Sequence, residues 1–139
     1  MEWIECKVSI EAMTDAGEVR KEHRRYLVNA VSFAEAEERI YKGLSNCSGL
    51  RSVESVRPVK YVEMFLNNGR RFYKAKVGFI QLNEKSGWEK KTYTHMLVQA
   101  NDFADALDEL TRQMKSTLAD WEIASITETA LVDVFPYEH

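Results

Sequence analysis

The segment YLVNAVSFAEAEERIYKGL, Tyr26 to Leu44, returns seventy positions later as MLVQANDFADALDELTRQM, Met96 to Met114. In both, an apolar strand runs into a helix whose first turn reads Phe-Ala-acid-Ala, at Phe33–Ala36 and Phe103–Ala106. The same offset pairs Val53 with Ile123, Ser55 with Ser125, Val62 with Val132, Glu63 with Asp133 and Phe65 with Phe135. This is the signature of an internal duplication, with halves 1–69 and 70–139. A seventy-residue unit is marginal alone, so the halves are expected to share a core about a pseudo-twofold axis. Each long third strand is expected to pack on or pair with the other half.

Within the first half, Ile4, Cys6, Val8, Ile10 and Ala12 alternate with Trp3, Glu5, Lys7, Ser9 and Glu11, the pattern of a half-buried strand. Thr14 to Gly17 is a turn, and Val19 to Val31 returns with Tyr26, Val28 and Ala30 inward. Ser32 and Glu35 form a capping-box pair ahead of a stripe at Phe33, Ala36, Ile40 and Leu44. A third strand spans Val53 to Leu66 but is interrupted by Pro58, which cannot donate to a ladder. Asn67-Asn68-Gly69 is a turn at the seam.

The second half repeats the plan. Tyr73, Ala75, Val77 and Phe79 face inward on one strand; Thr94, Met96, Val98 and Ala100 on the next. Asn101 or Asp102 caps a helix with the stripe Phe103, Ala106, Leu107, Leu110 and Met114. Ala124, Ile126, Ala130, Val132 and Val134 are expected to line the last strand's inner face. Each half is β-β-α-β. The helix crossover makes the third strand a candidate parallel partner of its hairpin. The expected fold class is α+β: two helices against a sheet of about six strands, in two layers.

The sheet face opposite the helices is where a function would sit. Alternation places Trp3, Lys7, Arg25, Leu27, Phe72, Lys74, Lys76, Tyr93, His95 and Leu97 there. An aromatic and aliphatic centre rimmed by charge suits a protein interface, most simply with a second copy of the chain. Rings interleaved with lysines and arginines also suit single-stranded nucleic acid. Net charge is −3, and neither half is a basic or acidic tail: ten basic against eleven acidic residues, then nine against eleven. That balance favours a protein partner over a polyanion. The cluster Arg20, Lys21, Arg24 and Arg25 splits between faces by alternation and reads as a solvated hairpin tip.

Reactive chemistry is sparse. His23, His95 and His139 have no partner at metal-ligand spacing, and Cys6 and Cys47 make no zinc motif. No glycine cluster forms a phosphate loop, and no G-x-S-x-G elbow is present. The acids at Glu35, Glu37, Glu38, Asp102, Asp105, Asp108 and Glu109 fall on solvated helix faces. The expectation is a non-enzymatic binding or assembly module with no catalytic residue, metal or cofactor. No apolar run approaches the roughly 20 residues that span a bilayer. The N-terminus MEWIECKV is already strand-like and lacks signal-peptide regions, so a cytoplasmic protein with reduced cysteines is expected.

Four segments carry a family resemblance: W-I-E-C-K-V at Trp3–Val8, E-K-S-G-x-E-K-K-T at Glu84–Thr92, M-L-V-Q-A-x-D-F-x-D-A-L-D at Met96–Asp108, and S-I-T-E-T-A-x-x-D-V-F-P-Y at Ser125–Tyr137. On these the chain resembles a family of small uncharacterised proteins of Bacteroides type, domain of unknown function 4494. The resemblance implies a bacterial cytoplasmic protein, with a looser link to phage-like or mobile elements. It brings no catalytic residue or ligand.

Overall fold

The computed structural model describes residues 2–137. His139 lies outside them. Element order is β1 (Glu2–Met13), β2 (Val19–Ala30), α1 (Phe33–Gly43), β3 (Leu50–Val59), β4 (Glu63–Phe65), β5 (Arg71–Leu82), β6 (Glu89–Ala100), α2 (Phe103–Met114), β7 (Asp120–Glu128) and β8 (Leu131–Phe135). The fold is α+β, with two helices and eight strands in two four-stranded sheets, ordered β3-β1-β2-β8 and β4-β6-β5-β7.

The single sheet of about six strands is thus replaced by two sheets. The third strand of the first half is not interrupted at Pro58, which pairs opposite Ile4; it runs on to Val59, and the chain leaves the sheet over residues 60–62. The third strand of each half divides into two. β3 pairs antiparallel with β1, and β7 antiparallel with β5. The chain then crosses over. β4 adds parallel to β6, and β8 adds parallel to β2. Neither β3 nor β7 is parallel to its own hairpin, as the crossover had suggested; the parallel partners are the short strands beyond the break. The two compact units are therefore residues 2–60 with 130–137 (unit 1) and 61–129 (unit 2). They differ from the halves 1–69 and 70–139 by exchange of these short strands, while the long strands β3 and β7 stay paired within their own halves.

Each unit has its own core on the helix side of its sheet. Unit 1 packs Ile4, Cys6, Val8, Ile10, Tyr26, Val28 and Ala30 against Ala36 and Ile40. Unit 2 packs Tyr73, Ala75, Val77, Met96, Val98 and Ala100 against Ala106, Leu110 and Met114. The helix stripes begin at Ala36 and Ala106; Phe33 and Phe103, one turn earlier, are about half exposed.

The last strands depart most from the expected alternation. Ala124, Ala130 and Val132, expected to face inward, are exposed; Val134 is buried but lies beside Leu27 on the face away from the helix, with Phe135 inward instead, and of the expected row Ile126 packs against the core. A bulge opposite Lys76/Val77 makes Ala124 the extra residue, and the step from β7 to β8 resets the phase again. A shift of one residue exchanges the faces of a strand.

Caps hold both helix starts. Ser32 Oγ accepts from the Glu35 amide at 3.1 Å, and Asp102 Oδ1 from the Asp105 amide at 2.8 Å. Asp102, rather than Asn101, is the second N-cap. Ser32→Ala and Asp102→Ala are each expected to lower stability by about 1 kcal/mol, read as a shift in urea midpoint at unchanged slope. No loss in either variant would mean that the caps are replaced by water.

Candidate interaction face

The outer face of unit 1 is built by three strands in register. Glu5 stands opposite Leu27 on β2 and Arg57 on β3, and Lys7 opposite Arg25 and Ser55. A bulge between Lys7 and Val8 makes Glu54 the extra residue of β3. Both carboxylates collect cations. Glu5, 9% exposed, accepts from Arg57 Nε at 2.6 Å and from Arg25 Nη1 at 3.3 Å. Glu54 lies 2.9 Å from His23 Nδ1, and 3.9 Å from the ammonium groups of both Lys7 and Lys21. This face neutralises itself. Alternation alone does not mark Glu54 and Arg57, since only the β1–β3 register brings them to Lys7 and Glu5.

Unit 2 presents the matching positions with different chemistry. Its bulge lies between Lys76 and Val77, the counterpart of that at Lys7/Val8, and its extra residue is Ala124 where unit 1 has Glu54. Lys74 stands opposite Leu97, as Glu5 stands opposite Leu27. So unit 2 has a lysine and an alanine where unit 1 has its two organising carboxylates. Neither Lys74 nor Lys76 has an ion-pair partner among the described residues. Lys76 instead places its ammonium 4.6 Å from the centroid of the Tyr93 ring. Tyr93 lies across Gly78, where a Cβ would come within 3.0 Å of the ring. The bare backbone gives the ring room to lie there; a side chain would press it outward. Glu122 shares this region and is taken by Lys91 at 3.2 Å.

The other sequence-picked residues divide by burial. Lys74, Lys76 and Tyr93 are exposed, and Trp3, Lys7, Arg25 and His95 are half-buried. Leu27 and Leu97 have no exposed surface and Phe72 only 3%. These three are corrections: the expected apolar centre is not at the surface. Addition of β8 and β4 makes β2 and β6 interior strands, and the runs Tyr26-Leu27-Val28 and Met96-Leu97-Val98 are buried on both faces. What remains accessible is a cationic strip with one ring.

His95, opposite Lys76 on β6, is held below its ordinary value. Burial is the larger cause, followed by the charges of Lys74 and Lys76. The unfolded chain therefore takes up the proton first. Stability from neutral His95 is complete above the ordinary value of 6.5 and is lost as pH falls through the lowered folded-state value. His95→Gln is expected to flatten the loss of stability between about pH 7.5 and 5.5, read from urea midpoints. Parallel curves for parent and variant would refute it.

Among the described residues no group of three or more His, Cys, Asp or Glu is placed to hold a metal ion, and no helix is long and apolar enough to cross a membrane. Cys6 and Cys47 are free thiols, Cys6 buried with its thiol pushed up to about 11, chiefly by desolvation.

A family model described as Domain of unknown function (DUF4494) matches residues 2–137. The chain belongs to the DUF4494 family. No curated protein and no solved structure matches it. In this DUF4494 chain two of the four resemblance segments, Glu84–Thr92 and Met96–Asp108, lie on either side of Tyr93 in sequence: they span the β5–β6 turn with the start of β6, and the end of β6 with the first half of α2.

Proposed function

We propose that this DUF4494 protein is a non-enzymatic, cytoplasmic binding module that meets a protein partner through the outer face of the β7-β5-β6 strands. The observation that carries this reading is the strip of Lys74 and Lys76, without counterions beside the ring of Tyr93. Unit 1 pairs the cations of its outer face, Lys7, Arg25 and Arg57, with its own Glu54 and Glu5. An acidic segment of a partner would supply in unit 2 what the chain supplies itself in unit 1. A second copy qualifies as that partner, because Glu37, Glu38 and Asp108 are exposed on the helices.

A single-stranded nucleic acid is the competing occupant. Its support is reduced by the burial of Phe72, and because Tyr93 already has Lys76 on its ring and Gly78 beneath it. Stacking needs an open ring face.

The test is fluorescence anisotropy with a labelled oligoglutamate peptide and a labelled oligothymidylate, at low and high salt, with light scattering on the protein alone. Lys74→Glu with Lys76→Glu is expected to weaken the peptide by about tenfold, each exposed charge pair contributing modestly. Salt-sensitive self-association lost in the double variant would make the partner a second copy. Tight oligothymidylate binding, steeply salt-dependent and without peptide binding, would replace the reading with the nucleic-acid one. Binding of none of these, with no self-association, would refute the strip as an interaction site.

A further inference from the structure

The strands that carry the lysine strip bring further side chains to it. Lys76 stands opposite Ser125 on β7 and His95 on β6, and Lys74 opposite Thr127 and Leu97. Residues directly opposite one another in a sheet point to the same face. Ile126, between the two hydroxyl residues, packs against the core on the helix side. Ser125 and Thr127 are therefore on the outer face with the two lysines. All four are exposed, and His95 is half-buried beside them. Strands about 4.8 Å apart, with residues two apart along a strand about 6.8 Å apart, gather the five groups into a block of roughly 10 by 7 Å.

Every side chain of the block can donate a hydrogen bond. None has a hydrogen bond or ion pair among the described residues. Lys76 rests on the Tyr93 ring, a contact that leaves its N–H groups without acceptors. The next carboxylates along β7 are already held: Glu122, opposite Gly78, by Lys91 at 3.2 Å, and Glu128, opposite Tyr73, by Arg71 at 3.1 Å.

The matching block of unit 1 contains its own anion. Lys7 and Ser55 match Lys76 and Ser125, but Glu5 stands for Lys74, Arg57 for Thr127 and Arg25 for His95. Glu5 accepts from Arg57 Nε at 2.6 Å and from Arg25 Nη1 at 3.3 Å. In unit 2 a cation replaces that carboxylate, so the anion must come from outside. The block also offers more donor groups than the two oxygens of a carboxylate engage. A phosphate monoester brings about 1.5 to 2 negative charges near pH 7 and three acceptor oxygens. With four of its five residues exposed, the block does not enclose a small molecule, and the phosphate is best carried by a larger one.

We propose that this block receives the phosphate group of a phosphorylated serine or threonine on the partner protein, an inference that rests on the protein-contact reading above. The ammonium groups of Lys74 and Lys76 meet its charge. The hydroxyls of Ser125 and Thr127 and the imidazole of His95 donate to its oxygens.

The test is fluorescence anisotropy on the full chain with three labelled peptides of one neutral sequence, carrying phosphoserine, glutamate or serine at the centre, and with labelled oligothymidylate. The phosphoserine peptide is expected to bind about tenfold tighter than the glutamate peptide, and inorganic phosphate to displace it. Ser125→Ala with Thr127→Val is expected to remove most of that preference and to leave glutamate-peptide binding unchanged. Both residues are exposed, so the fold tolerates the change. Lys74→Gln is expected to weaken both charged peptides. Equal binding of the phosphoserine and glutamate peptides would overturn the proposal, as would a preference that survives the Ser125 and Thr127 changes. So would failure of the phosphoserine peptide to bind, or tighter binding of oligothymidylate, whose phosphodiesters carry one charge each. The protein-contact reading is judged apart from these outcomes. It stands where oligoglutamate binding or salt-sensitive self-association persists without a phosphate preference, and falls only where those are missing too.

Discussion

Leu97→Ala is expected to lower the free energy of unfolding by about 3 kcal/mol, within the roughly 2–5 kcal/mol span of large-to-small core changes. By alternation Leu97 sits on the solvent side of its strand. In the fold it has no exposed surface, and Leu27, in the matching place of unit 1, has none either. The loss combines the transfer of the removed methyl groups with the cavity left behind. Tyr93→Ala, four residues earlier on the same face, is the control: Tyr93 is 45% exposed, and its removal is expected to cost no more than about 1 kcal/mol, mainly its contact with Lys76. Urea denaturation of the two variants at constant slope gives the comparison. Equal, small losses would mean that the second face at Leu97 is open to water.

Gly69→Ala comes next in expected effect, about 3 kcal/mol. A Cβ at Gly69 would lie 2.5–2.6 Å from the N, Cα and C atoms of Ala100. Backbone at that distance cannot rotate away as a side chain can. Movement of the turn is opposed by two hydrogen bonds: the Gly69 amide donates to Asn67 Oδ1, and Gln99 Nε2 donates to the Gly69 carbonyl, both at 2.7 Å. The comparison is Gly17→Ala at the first hairpin tip. There φ is +80° with nothing within 4 Å of an added Cβ, so the cost is conformational and about 1 kcal/mol. Thermal melts of the two variants should separate clearly. A Gly69→Ala melt within error of the parent would show that the turn yields and that the close approach is not required.

Gly69 also shows how far local reading extends. Asn67-Asn68-Gly69 was read as a turn, and the chain does turn between β4 and β5. The reason for the glycine was not visible locally, because Ala100 is brought against it only by tertiary packing. The same holds at Gly78, where Tyr93 from the neighbouring strand lies across the bare backbone. Lys74, Lys76 and Tyr93 were legible as an outward row because β5 and β6 alternate without a bulge through their mutual pairing. Glu54 and Arg57 were not, because their roles depend on the β1–β3 register and its bulge. A pocket under α2 had no sequence signal at all. Its lining, Phe65, Phe79, Met96 and Met114, comes from β4, β5, β6 and α2, which only tertiary packing brings together.

The amino-acid pattern alone determined the α+β class, the two β-hairpins, both helices with the Ser32 cap, and the helix-side rows of both cores. Those features rest on periodicity and capping, which act over a few residues. Tertiary structure decided the separation into two sheets, the transfer of β4 and β8 to the opposite halves, and the burial of Leu27, Phe72 and Leu97. Alternation says only that a side chain lies on one side of a strand. Whether that side meets water depends on which strands flank it and on what covers the sheet, and both are set by pairings between residues far apart in the chain.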